Sequence, residues 1–345
     1  MTLRIITPLA LTVFLAVAPG CLTEKRIPAV GPAYEIVVLA PEGMKILADE
    51  VEAVLGAEVL TVRQEARFDI VSDLLTDYRF YKTRKILLAV GPREDEAFQK
   101  LLGKATGTRR KTAYPGLWIE TAPFSAGQIL FWLSGDPQTI VSDLRERSDE
   151  FLAIVEDATV ELIVTSIYRV GEQPNARRHL RERWGWGVRL PTEWVVEDRS
   201  SDTNRFVRIW HDAPVEQMFV SWEDGRVERT PEEWLERRHE LVWYHYDKDE
   251  VVFDRAQAWE GSTPFGVDGV ALKGLWENNQ YTIGGPFESW AFYCPVGDRT
   301  YLVDLSVYAP DRSKLPLQRV LRAVAHTFRP NCAVGSMADP DRQGS

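Results

Sequence analysis

Phe206-Val207-Arg208-Ile209-Trp210 and Gln217-Met218-Phe219-Val220-Ser221-Trp222, parted by Asp212-Ala213-Pro214, are two apolar runs that alternate with polar positions around a turn-forming break. Period-two alternation puts one set of side chains on each face of a sheet, so the pair reads as successive strands. Thr230-Pro231-Glu232-Glu233 follows. There a Thr hydroxyl can accept a helix N–H while the Glu three residues on reaches back, which predicts a helix from there to about Tyr246. Further strands are expected at Val188 to Pro191, at Trp194 to Glu197, around Val270 to Trp276, Phe287 to Tyr293 and Tyr301 to Tyr308, with a closing helix from Ser313 to Phe328 whose Leu317, Val320, Leu321 and Val324 share one face. Strands, helix, meander and final helix make an α+β layer arrangement, with a mainly antiparallel sheet.

Upstream the chain differs. Glu35 to Ala40, Lys85 to Gly91 and Gln128 to Gly135 are near-continuous apolar runs, as in strands covered on both faces. Met44 to Leu55 has helical spacing, and Asp136-Pro137 is expected to open one long helix carrying Ile140, Val141, Leu144, Phe151, Leu152 and Val155 inward. Lys100 to Thr112 reads as a mobile loop. Ten of the 12 Trp lie beyond residue 170, which places a boundary at Gly171-Glu172-Gln173-Pro174. The expected division is 34–170 for an N-terminal α/β domain, 171–330 for a Trp-rich C-terminal α+β domain, each a sheet packed with helices, and 331–345 for a flexible tail.

The first 20 residues have one charge at Arg4, an apolar run from Leu9 to Val17, and small residues before Cys21, the order of a cleaved secretory signal peptide. The run is too short to span a bilayer. Gly20-Cys21 resembles a bacterial lipobox, so Cys21 is the expected lipidation site, and residues 21–33 are read as a lipidated Cys and tether. Leu22 after the Cys suits the periplasmic face of the outer membrane.

The 345 residues carry 41 Lys+Arg against 51 Asp+Glu, a net charge of −10 that argues against nucleic acid as a partner. The five His are scattered; His239-Glu240 begins like a zincin, but Trp243 stands where the second ligand belongs, so no metal site is expected. Trp184-Gly185-Trp186-Gly187 fails as a dinucleotide loop, since Leu190 replaces the third Gly. No G-x-S-x-G or phosphate loop is present, and no cofactor or catalytic residue is assigned. Cys294 and Cys332 are read as two separate thiols, although export makes a bridge feasible. Gly284-Gly285-Pro286 is expected to form a bulge or tight turn. Its functional reading is the rim of a binding pocket made by Trp276, Tyr281, Gly284, Gly285 and Trp290.

The stretches Glu35 to Leu39, Asp136 to Ile140, Gly187 to Pro191, Lys273-Gly274-Leu275-Trp276, Gly284 to Ser289 and Val307-Tyr308-Ala309-Pro310 together resemble an uncharacterised family of exported bacterial envelope lipoproteins, known only as a domain of unknown function. The element order of the second half resembles PsbP/Mog1-like sandwiches. The resemblance implies a lipid anchor and an exported two-part body; it implies no reaction. The expected function is therefore a membrane-anchored binding or assembly protein acting through the second domain on an envelope protein or saccharide. The alternative is a hydrolase or transferase of envelope polysaccharide using carboxylates near Trp276 and Tyr281. A purely structural component of a larger assembly is a third reading.

Overall fold

The computed structural model describes residues 26–212 and 214–330. The residues read as a signal peptide, Cys21 and residues 331–345 lie outside the described residues.

Residues 35–167 build a six-stranded mixed sheet. β1 (Glu35–Ala40) leads through α1 (Lys45–Leu55) and a small hairpin of β2 (Glu58–Leu60) and β3 (Gln64–Ala66) to β4 (Asp69–Leu74). A short α2 (Tyr78–Tyr81) precedes β5 (Ile86–Gly91). Then come α3 (Glu96–Lys104), β6 (Thr108–Lys111), β7 (Leu117–Thr121) and β8 (Ile129–Ser134). The strand order is β4-β1-β5-β8-β7-β6, with the first four parallel. β1 and β5 are buried throughout, apart from half-exposed Glu35, because helices cover both faces.

Two expectations need correction here. The segment read as a mobile loop contains most of α3 and all of β6. Asp95 caps α3 by accepting the N–H of Phe98 at 2.9 Å, and Phe98 and Leu101 are buried. β6 escaped notice because all four of its side chains are exposed, so it carries no apolar signal; Arg109 ties it to buried Glu120. The single long helix is two, α4 (Pro137–Glu146) and α5 (Ser148–Ile167), broken at Arg147. Asp136 opens α4 as expected, accepting from Gln138 and Thr139. Arg147 lies over the Tyr114 ring at 5.1 Å and clamps Glu150, a local arrangement that periodicity does not encode.

Residues 174–330 form the second body. α6 (Pro174–Trp184), β9 (Trp186–Gly187) and β10 (Val195–Asp198) lead into β11 (Arg205–His211) and β12 (Val215–Asp224), the hairpin read from sequence. The expected strand at Val188 to Pro191 is absent; the short β9 lies just before it. α7 (Pro231–His245) follows, then β13 (Glu250–Val251), β14 (Gln257–Ser262), β15 (Asp268–Asn278), β16 (Ile283–Cys294), β17 (Arg299–Tyr308), α8 (Leu315–Ala325) and β18 (Arg329–Pro330). The eight-stranded sheet runs β10-β11-β12-β17-β16-β15-β13, with β14 also on β15, and every pair is antiparallel. The fold class is α+β.

Alternation along the strands sorts the core into two layers. Met218, Val220, Val303, Leu305, Trp290 and Phe292 meet α6 and α8 on one face. Phe219, Leu302, Phe287, Leu272 and Trp276 meet α7 on the other. Six of the ten Trp beyond residue 170 are buried: Trp186, Trp194, Trp222, Trp234, Trp276 and Trp290. Cys294 is fully buried and disulfide-bonded. This corrects the reading of Cys294 as a separate thiol; its partner lies outside the described residues.

The two bodies meet through α5 and α8, where Val160, Ile163 and Ala323 form a small shared core. Arg319 of α8 grips Glu156 of α5 at 2.8 Å and lies over the Phe68 ring at 4.1 Å. Burial pushes the Glu156 carboxyl up, but Arg319 and Arg322 outweigh it and hold the group below the usual carboxylate range.

Candidate functional site

The five residues singled out from sequence are not brought to one pocket. Trp276 is in the layer under α7, whereas Trp290 is on the opposite face of the sheet. Tyr281, half exposed, sits in the β15–β16 connection, where its N–H donates to Asn278 Oδ1. Gly284 and Gly285 form neither bulge nor turn: they lie in the regular β15–β16 ladder opposite Glu277 and Trp276. The reason for Gly there is close backbone approach. A Cβ on Gly285 would stand 1.8 Å from the Val307 carbonyl oxygen, and one on Gly284 would stand 2.6 Å from that of Trp276. The carboxylates beside Trp276, Glu250 and Glu277, are opposite one another in register, but strand alternation turns them away from the face that carries Trp276.

What the second body does present is the outer side of α7. The helix starts with the capping box foreseen in the sequence, Thr230 accepting from the Glu233 N–H and Glu233 from the Thr230 N–H. Its inner side buries Trp234, Leu235, Leu241 and Val242. It also buries Arg238, whose Nε donates to Asp304 of β17 at 2.6 Å while the guanidinium lies 3.6 Å from the centre of the Phe287 ring. Ser289 supplies a second donor to Asp304 at 2.7 Å. His245, also inward, stacks on Phe206, and burial pushes its pKa down to about 4.

The turn after the helix is held as tightly. Asp247 and Lys248 adopt left-handed backbone conformations, and the Lys248 N–H donates to the Trp243 carbonyl. Asn278 reaches across from β15 to donate to the Asp247 carbonyl and to Asp249 Oδ1. Burial raises the Asp249 carboxyl to about 6. The Val251 N–H donates to His239 Nδ1 at 3.2 Å, fixing that nitrogen as an acceptor. His239 thus points away from His245, and the two imidazoles share no site. Among the described residues no group of three His, Cys, Asp or Glu is placed to hold a metal ion.

On this scaffold an aromatic surface is displayed. Trp243 is 43 % exposed, Tyr244 67 % and Phe253 49 %. The half-buried His239 ring joins Trp243 at 6.0 Å to Phe253 at 5.5 Å, and Lys248 Nζ lies 5.9 Å over the Trp243 ring. Sequence reading missed this cluster. Trp243 and Tyr244 continue a helix whose other aromatic, Trp234, is core, and Phe253 becomes their neighbour only through the turn at 247–249.

Elsewhere, a cleft of about 510 Å³ lies between α1 and α4, walled by Ile46, Pro137, Val141 and Arg145 among others. No described helix is long and apolar enough to cross a membrane.

No curated protein matches the chain. Among solved structures, a mutant form of the protein Mog1 is similar at 9% identity, covering 43% of this chain and 93% of that one, with a TM-score of 0.29. The Ran-binding protein Mog1p of Saccharomyces cerevisiae is similar at 10% identity, covering 43% and 92%, again with a TM-score of 0.29. At the level of families, residues 255–327, which run from the end of the aromatic turn through β14 to β17 and α8, match the model described as Domain of unknown function (DUF4837).

Proposed function

We propose that this chain is an exported, lipid-anchored envelope protein that holds a partner through the outer side of α7. The observation that carries the reading is the aromatic surface at the end of a rigidly seated helix: exposed Trp243 and Phe253 joined through the half-buried His239 ring, with exposed Tyr244 next to Trp243 in the chain. Large aromatics are enriched at the cores of protein interfaces, where they bury much area at small entropic cost. Arg238–Asp304, the capping box and the Asn278 contacts hold the helix and its turn, so little ordering is left for a partner to impose. The disulfide at Cys294 supports an oxidising compartment, in keeping with a signal peptide and acylated Cys21 on the periplasmic face of the outer membrane.

The test is photo-crosslinking in the native cell, with a photoreactive residue at Tyr244 or, as control, at Val170, which is 92 % exposed and remote in sequence. A discrete adduct from position 244 alone is expected. Adducts of equal yield from both positions, or none from 244, would overturn the assignment of the surface. Mass spectrometry of the mature N-terminus tests the anchor separately: a first residue other than an acylated Cys21 removes it.

A further inference from the structure

Resting on the reading of α7 as a docking surface, we infer that its occupant is a Lys- or Arg-bearing segment of a partner protein. Within residues 231–255, the exposed positions are six acids (Glu232, Glu233, Glu236, Glu240, Asp247 and Asp254), three aromatics and two bases, Lys248 and Arg255. Glu232, Glu236, Glu240 and Trp243 recur at spacings of four, four and three within α7, so they form one stripe along the helix, three acids leading to an indole, and Asp247 lies in the turn just after the helix.

Like charges at i,i+4 weaken a helix. Glu232 and Glu233 have a local use, since they stand in the first turn, where the helix dipole favours anions. Glu240 is partly offset by Arg237 at 3.1 Å. Glu236 and Asp247 gain nothing from the dipole: Asp247 follows the helix C-terminus, the end that favours cations. The stripe therefore costs folding stability, and a cationic segment laid along it would relieve that repulsion. The same segment would find the Trp243 face for a cation–π contact, the geometry Lys248 already samples from one side. Charge complementarity of this kind mainly sets association rate and partner choice, whereas the aromatic contact slows dissociation.

The experiment uses the full mature protein and a fluorescently labelled hexa-arginine peptide followed by anisotropy at low and moderate salt. Because the chain is acidic overall, a polycation could be attracted anywhere, so two charge reversals with identical net change are compared. Glu236→Lys/Glu240→Lys alters the stripe; Glu94→Lys/Glu96→Lys alters exposed acids of the first body. Expected are a loss of about tenfold or more for the first, a change within about twofold for the second, and about a fivefold loss for Trp243→Ala. A single cooperative thermal unfolding transition in each variant confirms that it is folded. Equal losses in the two reversals, undiminished binding by Trp243→Ala, or no binding by the parent protein would each overturn the inference. If the Tyr244 photo-adduct forms while the peptide fails, the docking surface stands and only the basic character of its partner falls; if both fail, the surface itself falls.

Discussion

Arg238 on the inner side of α7 and Asp304 in the middle of β17 form an ion pair at 2.6 Å with each side chain only 1 % exposed. It is the hinge pin on which the aromatic surface is mounted, because Arg238 directly precedes His239 and stands one turn before Val242, and the pair ties the helix to the centre of the sheet. Two charges taken out of water pay a large desolvation cost, recovered only while both are present. Removing one partner, as in Asp304→Asn or Arg238→Met, should therefore cost about 3–5 kcal/mol in urea unfolding, and the apolar double replacement Arg238→Met/Asp304→Leu should cost much less than the sum. Additive losses would show that the two charges do not compensate each other.

Gly285 gives a sharper local test. Its missing side chain is required by the approach of the Val307 carbonyl, so Gly285→Ala must push β16 and β17 apart, at about 3 kcal/mol or more. Gly225, with φ +83° and nothing within 4 Å of a Cβ, pays only for its backbone conformation, so Gly225→Ala should cost about 1–2 kcal/mol. Thermal unfolding of the two variants side by side decides the order; a reversal would mean that β16 has slack at Gly285.

The same residue shows where sequence reading stops. Gly284-Gly285-Pro286 is conspicuous in the chain, but whether two glycines make a turn or permit a close crossing depends on a strand more than 20 residues away. The antiparallel β11–β12 hairpin, the α7 capping box, the Asp136 cap and β15 to β17 were legible because alternation and capping are local. β6 was not, since an edge strand with four exposed side chains has no apolar period, nor was the break at Arg147, set by a ring from a neighbouring loop. At the candidate site, Trp276 and Trp290 look alike in sequence, but the 14-residue step between them includes a hairpin that sends them to opposite faces. Trp243 and Phe253 are united by left-handed turn residues, Asp247 and Lys248, that carry no Gly to announce them.

Glu65, in the β2–β3 hairpin of the first body, accepts the backbone N–H groups of Lys314 and Leu315 at 2.7 and 3.2 Å, so it caps the start of α8 from outside. α8 has no side-chain cap of its own. An anion at a helix N-terminus satisfies orphan donors and favours the dipole. Glu65→Ala should destabilise by about 1–3 kcal/mol and raise the hydrogen-exchange rate of the Leu315 amide more than that of amides in the middle of α8. An unchanged Leu315 rate would show that the cap does not hold the two bodies together at this point.

Glu216 in β12 predicts a pH dependence of the opposite sense to that of an ordinary surface carboxylate. Burial raises its pKa to about 7; Oε1 has no hydrogen-bond partner, and Oε2 is 3.7 Å from His211 Nδ1. A carboxyl whose folded pKa exceeds its unfolded value binds its proton more tightly in the native state, so its contribution to stability is complete below about 4.5 and is lost as pH rises through about 7. Glu216→Gln keeps the shape and removes the titration. At pH 8 the variant should be more stable than the parent by about 1–3 kcal/mol, and the difference should shrink to near zero by pH 4.5. His245 acts in the other direction: with its folded pKa near 4 against an ordinary 6.5, its share of stability is present above 6.5 and falls away as the solution is acidified towards 4. Urea midpoints of parent, Glu216→Gln and His245→Gln between pH 4 and 8 separate the two slopes. A Glu216→Gln curve parallel to the parent's would mean that the carboxylate is solvated in the native protein, and with it the β11–β12 end of the sheet.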